Sequence, residues 1–234
     1  MTTASSDPVT AATPSSELSQ SNLLHGNISP TLRTFTDTAY APAALHRILP
    51  HVQHTHHELE SHSHKILDST DPDEQIRFQN QFTWEIARHL IGEELVIYPA
   101  ISEKLKDGRA RVEKGRREHQ EIRKQLKSFQ ELSPTDPKFA PTLKVLIKDL
   151  SNHMEQEEKE DLAILEDSLS QADSEALSRS INRTKMFAPS RSHPLSPSKQ
   201  PFETAASLLM APMDKVADIF RKWPHRSDGE REEA

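Results

Sequence analysis

The sequence predicts an all-α fold, an up-down-up-down bundle of four helices, and three observations carry that prediction. Apolar residues recur at three- and four-residue steps through four successive segments, clusters of Pro, Gly, Asp and Ser separate the segments, and each stripe carries a histidine near its middle. These histidines, His56, His89, His119 and His153, stand 30 to 34 residues apart. That is about the repeat expected when antiparallel helices pass one level of a bundle in turn.

The first helix is expected over residues 42–68, where Leu45, Leu49, Val52, His56, Leu59, Ser63 and Ile66 share one face. Ser69-Thr70-Asp71-Pro72-Asp73 then breaks the pattern, with Asp71 as N-cap and Pro72 at the first helical position of the next helix. Its stripe reads Phe78, Phe82, Ile86, His89, Glu93, Val96 and Ala100. Pro99 removes the hydrogen bond to the Leu95 carbonyl and is expected to kink or end this helix. Asp107-Gly108 marks the following turn, after which Val112, Gly115, His119, Ile122, Leu126 and Phe129 step by three and four. Ser133-Pro134-Thr135-Asp136-Pro137 is the last connector, and Leu143, Leu146, Leu150, His153, Glu157, Asp161 and Ile164 line the fourth helix. From the turns to the histidines the paired helices travel about 18 against 25 Å and about 20 against 22 Å, so adjacent helices bring them to similar heights.

The ends differ from the middle. Residues 1–40, rich in Ser, Thr, Pro and Ala, read as a disordered tail, because they lack the apolar surface to offset ordering entropy. The bundle occupies 41–182 and closes with a short helix after Ser174 through Ile181. A Pro/Ser-rich linker follows at 183–201, then an amphipathic helix and charged tail at 202–234. Leu209, Met213, Val216, Phe220 and Trp223 form the stripe of that last helix. It is expected to dock back onto the bundle, with a protein partner or membrane-surface contact through 202–223 as the alternative.

Composition narrows the chemistry. The absence of cysteine removes disulfides, thiolate zinc sites, thiol nucleophiles and cysteine-ligated iron–sulfur clusters. A formal charge of −7 with both signs mixed along the helices argues against nucleic acid as a partner. No stretch approaches the ~20 apolar residues of a transmembrane segment, and the N-terminus carries no secretory or mitochondrial signal, so a cytoplasmic location is expected.

The functional signal is the lattice of His56, His89, Glu93, His119, His153 and Glu157. Residues four apart on a helix project from one face, so His89/Glu93 and His153/Glu157 each offer an imidazole nitrogen and a carboxylate to a common centre. Either pair alone is usually a solvated surface pair. On apolar stripes, however, unpaired carboxylates cost several kcal/mol each, and a core holding two of them with four histidines needs cations. Bridging carboxylates capped by histidines make a two-metal site of the kind bundle cores support. The mixed ligands suit iron, manganese or zinc over magnesium or calcium.

Neighbouring residues are assigned other roles. His51, His54, His57 and His62 fall off the stripe of His56, and His64 falls at its margin, so all five are expected to be solvated. Glu60, a turn after His56, is expected near the inward face as a supporting or spare ligand. Glu94 is expected to be exposed unless a carboxylate shift recruits it, and Trp84 and Tyr98 to pack away from the ligands. Phe82, Ile86, Leu126, Leu150 and Met154 are expected in the core, as walls of the pocket.

The run from Phe82 to Pro99 (FTWEIARHLIGEELVIYP), with Glu118-His119-Gln120 and His153-Met154-Glu155-Gln156-Glu157-Glu158, resembles the hemerythrin-like family, the HHE cation-binding domain, over about residues 42–170. The resemblance implies a four-helix bundle around a non-haem di-iron centre, with the six residues above as ligands of two Fe ions and Mn or Zn as substitutes. It implies O2, nitric oxide or peroxide as the small partner. Two departures stand out. Thr55 precedes His56 where the family usually has aspartate, and Arg123 stands where oxygen carriers have a further histidine. A site lacking that histidine favours sensing, iron handling or redox reaction over reversible oxygen carriage. The rival readings are a di-iron oxidase or peroxide-reducing enzyme, and an interaction scaffold with a vestigial site.

Overall fold

A computed structural model describes residues 46–188, 191, 214 and 217–225. The expected tail at 1–40, the start of the first helix and most of the linker and amphipathic helix lie outside the described residues. Within them the fold is all-helical: α1 (Ile48–Asp68), α2 (Pro72–Gly92), α3 (Tyr98–Lys104), α4 (Gly108–Gln130), α5 (Phe139–Gln156), α6 (Ala163–Ser168) and α7 (Gln171–Phe187). Helix α2 runs into α3 through a π-helical turn, Glu93–Ile97, and α5 runs into α6 through another, Glu157–Leu162. Four long rods therefore form the bundle. Packing of α1 on α2 and α5, and of α4 on α2 and α5, closes the ring.

Local chemistry accounts for the boundaries. Asp71 accepts a hydrogen bond from the Asp73 N–H at 2.9 Å and Pro72 opens α2, as the sequence predicts. Helix α1 begins at Ile48 because Arg47 is extended. The free N–H groups at its start are satisfied from far along the chain, Ile48 donating to Ser174 Oγ at 2.9 Å and Leu49 to Glu166 Oε2 at 3.0 Å. Capping across more than a hundred residues has no local sequence signal. Asp107, in the left-handed region at φ 58°, turns the chain into α4.

Pro99 neither ends nor sharply breaks its helix. The helix continues through the π turn, in which the Tyr98 N–H reaches back to Glu93 O. Each π turn uses an extra residue, so the buried stripe slips by one position. From the end of the first π turn into α3 the inward residues are Ile97 and Ile101, whereas Ala100 is only half-buried. From the end of the second π turn into α6 they are Leu162 and Leu165, and Ile164 faces outward at 46% exposure. The expectation of Asp161 and Ile164 on the inner face is corrected accordingly.

The interior is divided. One apolar cluster gathers Leu59, Phe82, Leu126, Phe129 and Leu143 with their neighbours, including Ile86, Leu150 and Met154. A second gathers Ile48, Val52, Ile97, Ile101, Leu162 and Leu165. Between them lies a polar layer contributed by all four rods. Helix α7, longer than the expected short helix and running on to Phe187, packs against the bundle through Ile181. Its Cγ1 lies 2.9 Å from where a Cβ on Gly92 would stand, so only glycine lets the two helices approach this closely. Beyond it, Trp223 meets Trp84 edge-on with ring centroids 6.1 Å apart, and Asn80 donates to Lys222 O at 2.8 Å. This part of the C-terminal segment docks on α2, while Phe220 points outward.

Candidate metal centre

The six predicted residues converge on the polar layer, and every one is buried. His56 comes from α1, His89 from the end of α2 and Glu93 from the π turn after it, His119 from α4, His153 from α5, and Glu157 from the second π turn. They form two groups sharing Glu93: His56, His89, Glu93 and Glu157, and Glu93, His119 and His153. Within each, the nearest donor atoms lie within 4.8 Å of one another.

The distances suit cation binding. His56 Nε2 and His89 Nε2 lie 3.1 Å apart, and His119 Nε2 and His153 Nε2 3.0 Å apart. Two ligands each ~2.1 Å from one ion and at right angles to it stand ~3.0 Å apart. Glu93 reaches both groups, with Oε1 2.9 Å from His89 Nε2 and Oε2 3.3 Å from His119 Nε2. Both oxygens of Glu93 and of Glu157 are buried without a hydrogen-bond donor. Leaving four carboxylate oxygens in that condition is costly unless a cation serves them.

Carboxylates behind the imidazoles set their direction. Nδ1–H of His56 donates to Glu158 at 2.5 Å, that of His119 to Glu94 at 2.9 Å, and that of His153 to Glu118 at 2.9 Å. A proton fixed on Nδ1 leaves the Nε2 lone pair facing inward, the form a metal requires. Each supporting carboxylate is adjacent in sequence to one of the six, as Glu93-Glu94, Glu118-His119 and Glu157-Glu158. That doubling was the available signal. Support for His56 comes from α5's π turn instead of residue 55. The Thr55 hydroxyl accepts from Lys185 Nζ of α7 at 3.1 Å.

The electrostatics follow from burial and proximity. Burial pushes Glu157 well above the usual carboxylate range, and the neighbouring Glu93 carboxylate adds to it. Burial acts on Glu93 in the same sense, but His89, His119 and His56 outweigh it and hold that carboxyl low. Without a cation the pair cannot both ionise freely. Burial lowers His89 to about 3, keeping its imidazole neutral. For His56 and His119 burial is outweighed by Glu158, Glu93 and Glu94, and both are raised above 6.5.

Several neighbours differ from expectation. Glu94 is buried instead of exposed, because the π turn rotates it toward α4, where Oε1 accepts from His119 and from Arg123 Nη2 at 2.6 Å. Burial opposes its charge, yet His119 and Arg123 draw it down to about 2. Arg123 thus stabilises the carboxylate that orients His119. Tyr98 lies beside the ligands, its buried hydroxyl donating to His119 Nε2 at 2.8 Å, since the same π turn swings it inward. Glu60 is on the surface near His57 and does not approach the centre. His54, His57 and His64 are exposed, whereas His51 and His62 are half-buried, and burial lowers each of those two to about 4.

Comparison with known proteins agrees with this geometry. The family model described as the hemerythrin HHE cation binding domain matches residues 44–165. An uncharacterised hemerythrin-like protein of Schizosaccharomyces pombe is 42% identical over 170 residues, covering 72% of this chain and 84% of the relative. No solved structure matches the chain. Among the described residues no helix is long and apolar enough to cross a membrane.

Proposed function

Because the chain belongs to the hemerythrin HHE cation-binding family, we propose that it is a non-haem di-iron protein that binds O2 or a related small oxidant, serving as an oxygen, redox or iron sensor or as an iron-handling module. The observation that supports this reading most strongly is the sharing of buried Glu93 between two donor groups. One iron would be held by His56, His89, Glu93 and Glu157, the other by Glu93, His119 and His153.

Neutral imidazole and carboxylate ligands without thiolate suit iron, with manganese or zinc as substitutes. The irons would supply the electrons that small oxidants accept. The protein supplies the rest: Glu158, Glu94 and Glu118 aim the imidazoles, and the two apolar clusters flank the layer on either side.

The test is metal analysis of the purified chain, followed by anaerobic loading with ferrous iron and an absorption spectrum before and after air. Two irons per chain and an oxygen-dependent charge-transfer band are expected. A chain without stoichiometric metal, whose metal content and stability are both unmoved by His89→Ala with Glu157→Ala, would overturn the proposal.

A further inference from the structure

A crevice opens beside the centre, between α4 and the rod formed by α5 and α6. It leaves about 10 Å³, room for one water-sized molecule, and Tyr98, Gly115, His153 and Glu157 are among its walls. Surface residues tie its two sides together, the half-buried Arg111 donating to Asp161 at 2.5 Å and the exposed Lys114 to Gln156 at 2.7 Å. Glu157 presents two buried carboxylate oxygens that have no hydrogen-bond donor.

The Tyr98 hydroxyl is the second group at this wall, and its acceptor is the Nε2 lone pair of His119. Glu94 holds the other ring nitrogen as a donor. A lone pair given to a cation cannot also accept from a phenol, so cation binding at His119 frees this hydroxyl. A buried hydroxyl left without an acceptor is costly, and the space it faces is the crevice. The group containing His119 also has fewer donors, three against four, and Arg123 is turned to Glu94 instead of the centre. That end has room for an incoming ligand.

We propose that the crevice is the binding position of a small ligand, one or two heavy atoms long and able to accept a hydrogen bond, and that Tyr98 donates to it. The inference rests on the cation-binding reading above. Gly115 sets the size limit: a Cβ there would stand 2.5 Å from the Tyr98 hydroxyl oxygen, so a side chain would displace the phenol and fill the space.

The test loads the full chain with ferrous iron under anaerobic conditions and uses nitric oxide as the probe. Iron content, nitric oxide release rate and the N–O stretching frequency are measured for wild type, Tyr98→Phe and Gly115→Ala. Tyr98→Phe should keep the wild-type iron content, release nitric oxide about five- to tenfold faster, and shift the N–O stretch. Gly115→Ala should keep its iron and bind nitric oxide more weakly. A Tyr98→Phe protein with unchanged release and unchanged stretch overturns the inference. Loss of iron in that variant overturns it too, by making Tyr98 a holder of the metal, as does a loaded wild type that binds no nitric oxide. A wild type that takes up no iron removes the cation reading itself.

Discussion

Replacing Glu94 by Gln tests whether a buried charge behind His119 stabilises the fold as its surroundings imply. The side chain keeps its shape and can still accept from His119 Nδ1, but the negative charge facing buried Arg123 is lost. Glu94 falls from the ordinary 4.5 to about 2 in the fold. At about 1.4 kcal/mol per pH unit, that difference corresponds to ~3 kcal/mol of stability at neutral pH. Because the folded value is the lower one, the contribution is present above pH 4.5 and is lost as pH falls toward 2. For a chain of this length ~3 kcal/mol lowers the melting temperature by ~6–12 °C. The assay is urea unfolding of metal-free wild type and variant at pH 7 and pH 3.5. The gap should be ~3 kcal/mol at pH 7 and narrow to ~2 kcal/mol at pH 3.5. A gap below ~1 kcal/mol at pH 7, or one that widens in acid, refutes the reasoning.

Other predictions probe the remaining layers. Glu157→Leu should stabilise the metal-free protein by ~1–3 kcal/mol while weakening metal uptake, because it removes a buried carboxyl group whose oxygens have no donor; an unfolding midpoint lower than wild type would contradict this. Metal uptake should weaken by about tenfold per pH unit for each proton displaced as pH falls from 8 to 6, since His56 and His119 are raised and their protons compete with the metal. Chelator competition measures it, and a flat profile would count against the ligand assignment. Leu126→Ala, in the apolar cluster with Phe82 and Phe129, should cost ~2–5 kcal/mol in denaturant unfolding. A double-mutant cycle on Trp84 and Trp223 should return ~0.5–1.5 kcal/mol if the C-terminal segment stays docked in solution, and zero if it does not.

How far the sequence could be read is decided by where helical phase holds. Up to Glu93 and Glu157 the 3.6-residue period picks out the buried face, which is why His56 could be separated from His54 and His57. Past each π turn the same period points one residue off, to Ala100 instead of Ile101 and to Ile164 instead of Leu165. Tyr98 departs from the periodic pattern for that reason, and Glu94 does so inside the first π turn itself. Proline at 99 warned of a disturbed helix, but nothing comparable marks 157–162. Ser174 and Glu166, which cap α1, are set by tertiary packing, so no local pattern announces them.

The separation of the interior into two apolar clusters bears on how the molecule comes apart. Each half of the bundle has its own oily interior, and the seam between them is made of imidazoles and carboxylates whose mutual attraction depends on what they hold. With the seam filled, the halves are bolted together and melt as one unit. With it empty, they are joined by continuous helical backbone and by the hydrogen bonds of Glu158, Glu94 and Glu118 to the imidazoles and of Arg123 to Glu94. Chelation therefore lowers the cost of opening the half that contains α3, α6, the starts of α1 and α4 and Ile181 of α7. Cation supply would thereby be read out as the integrity of one end of the rod.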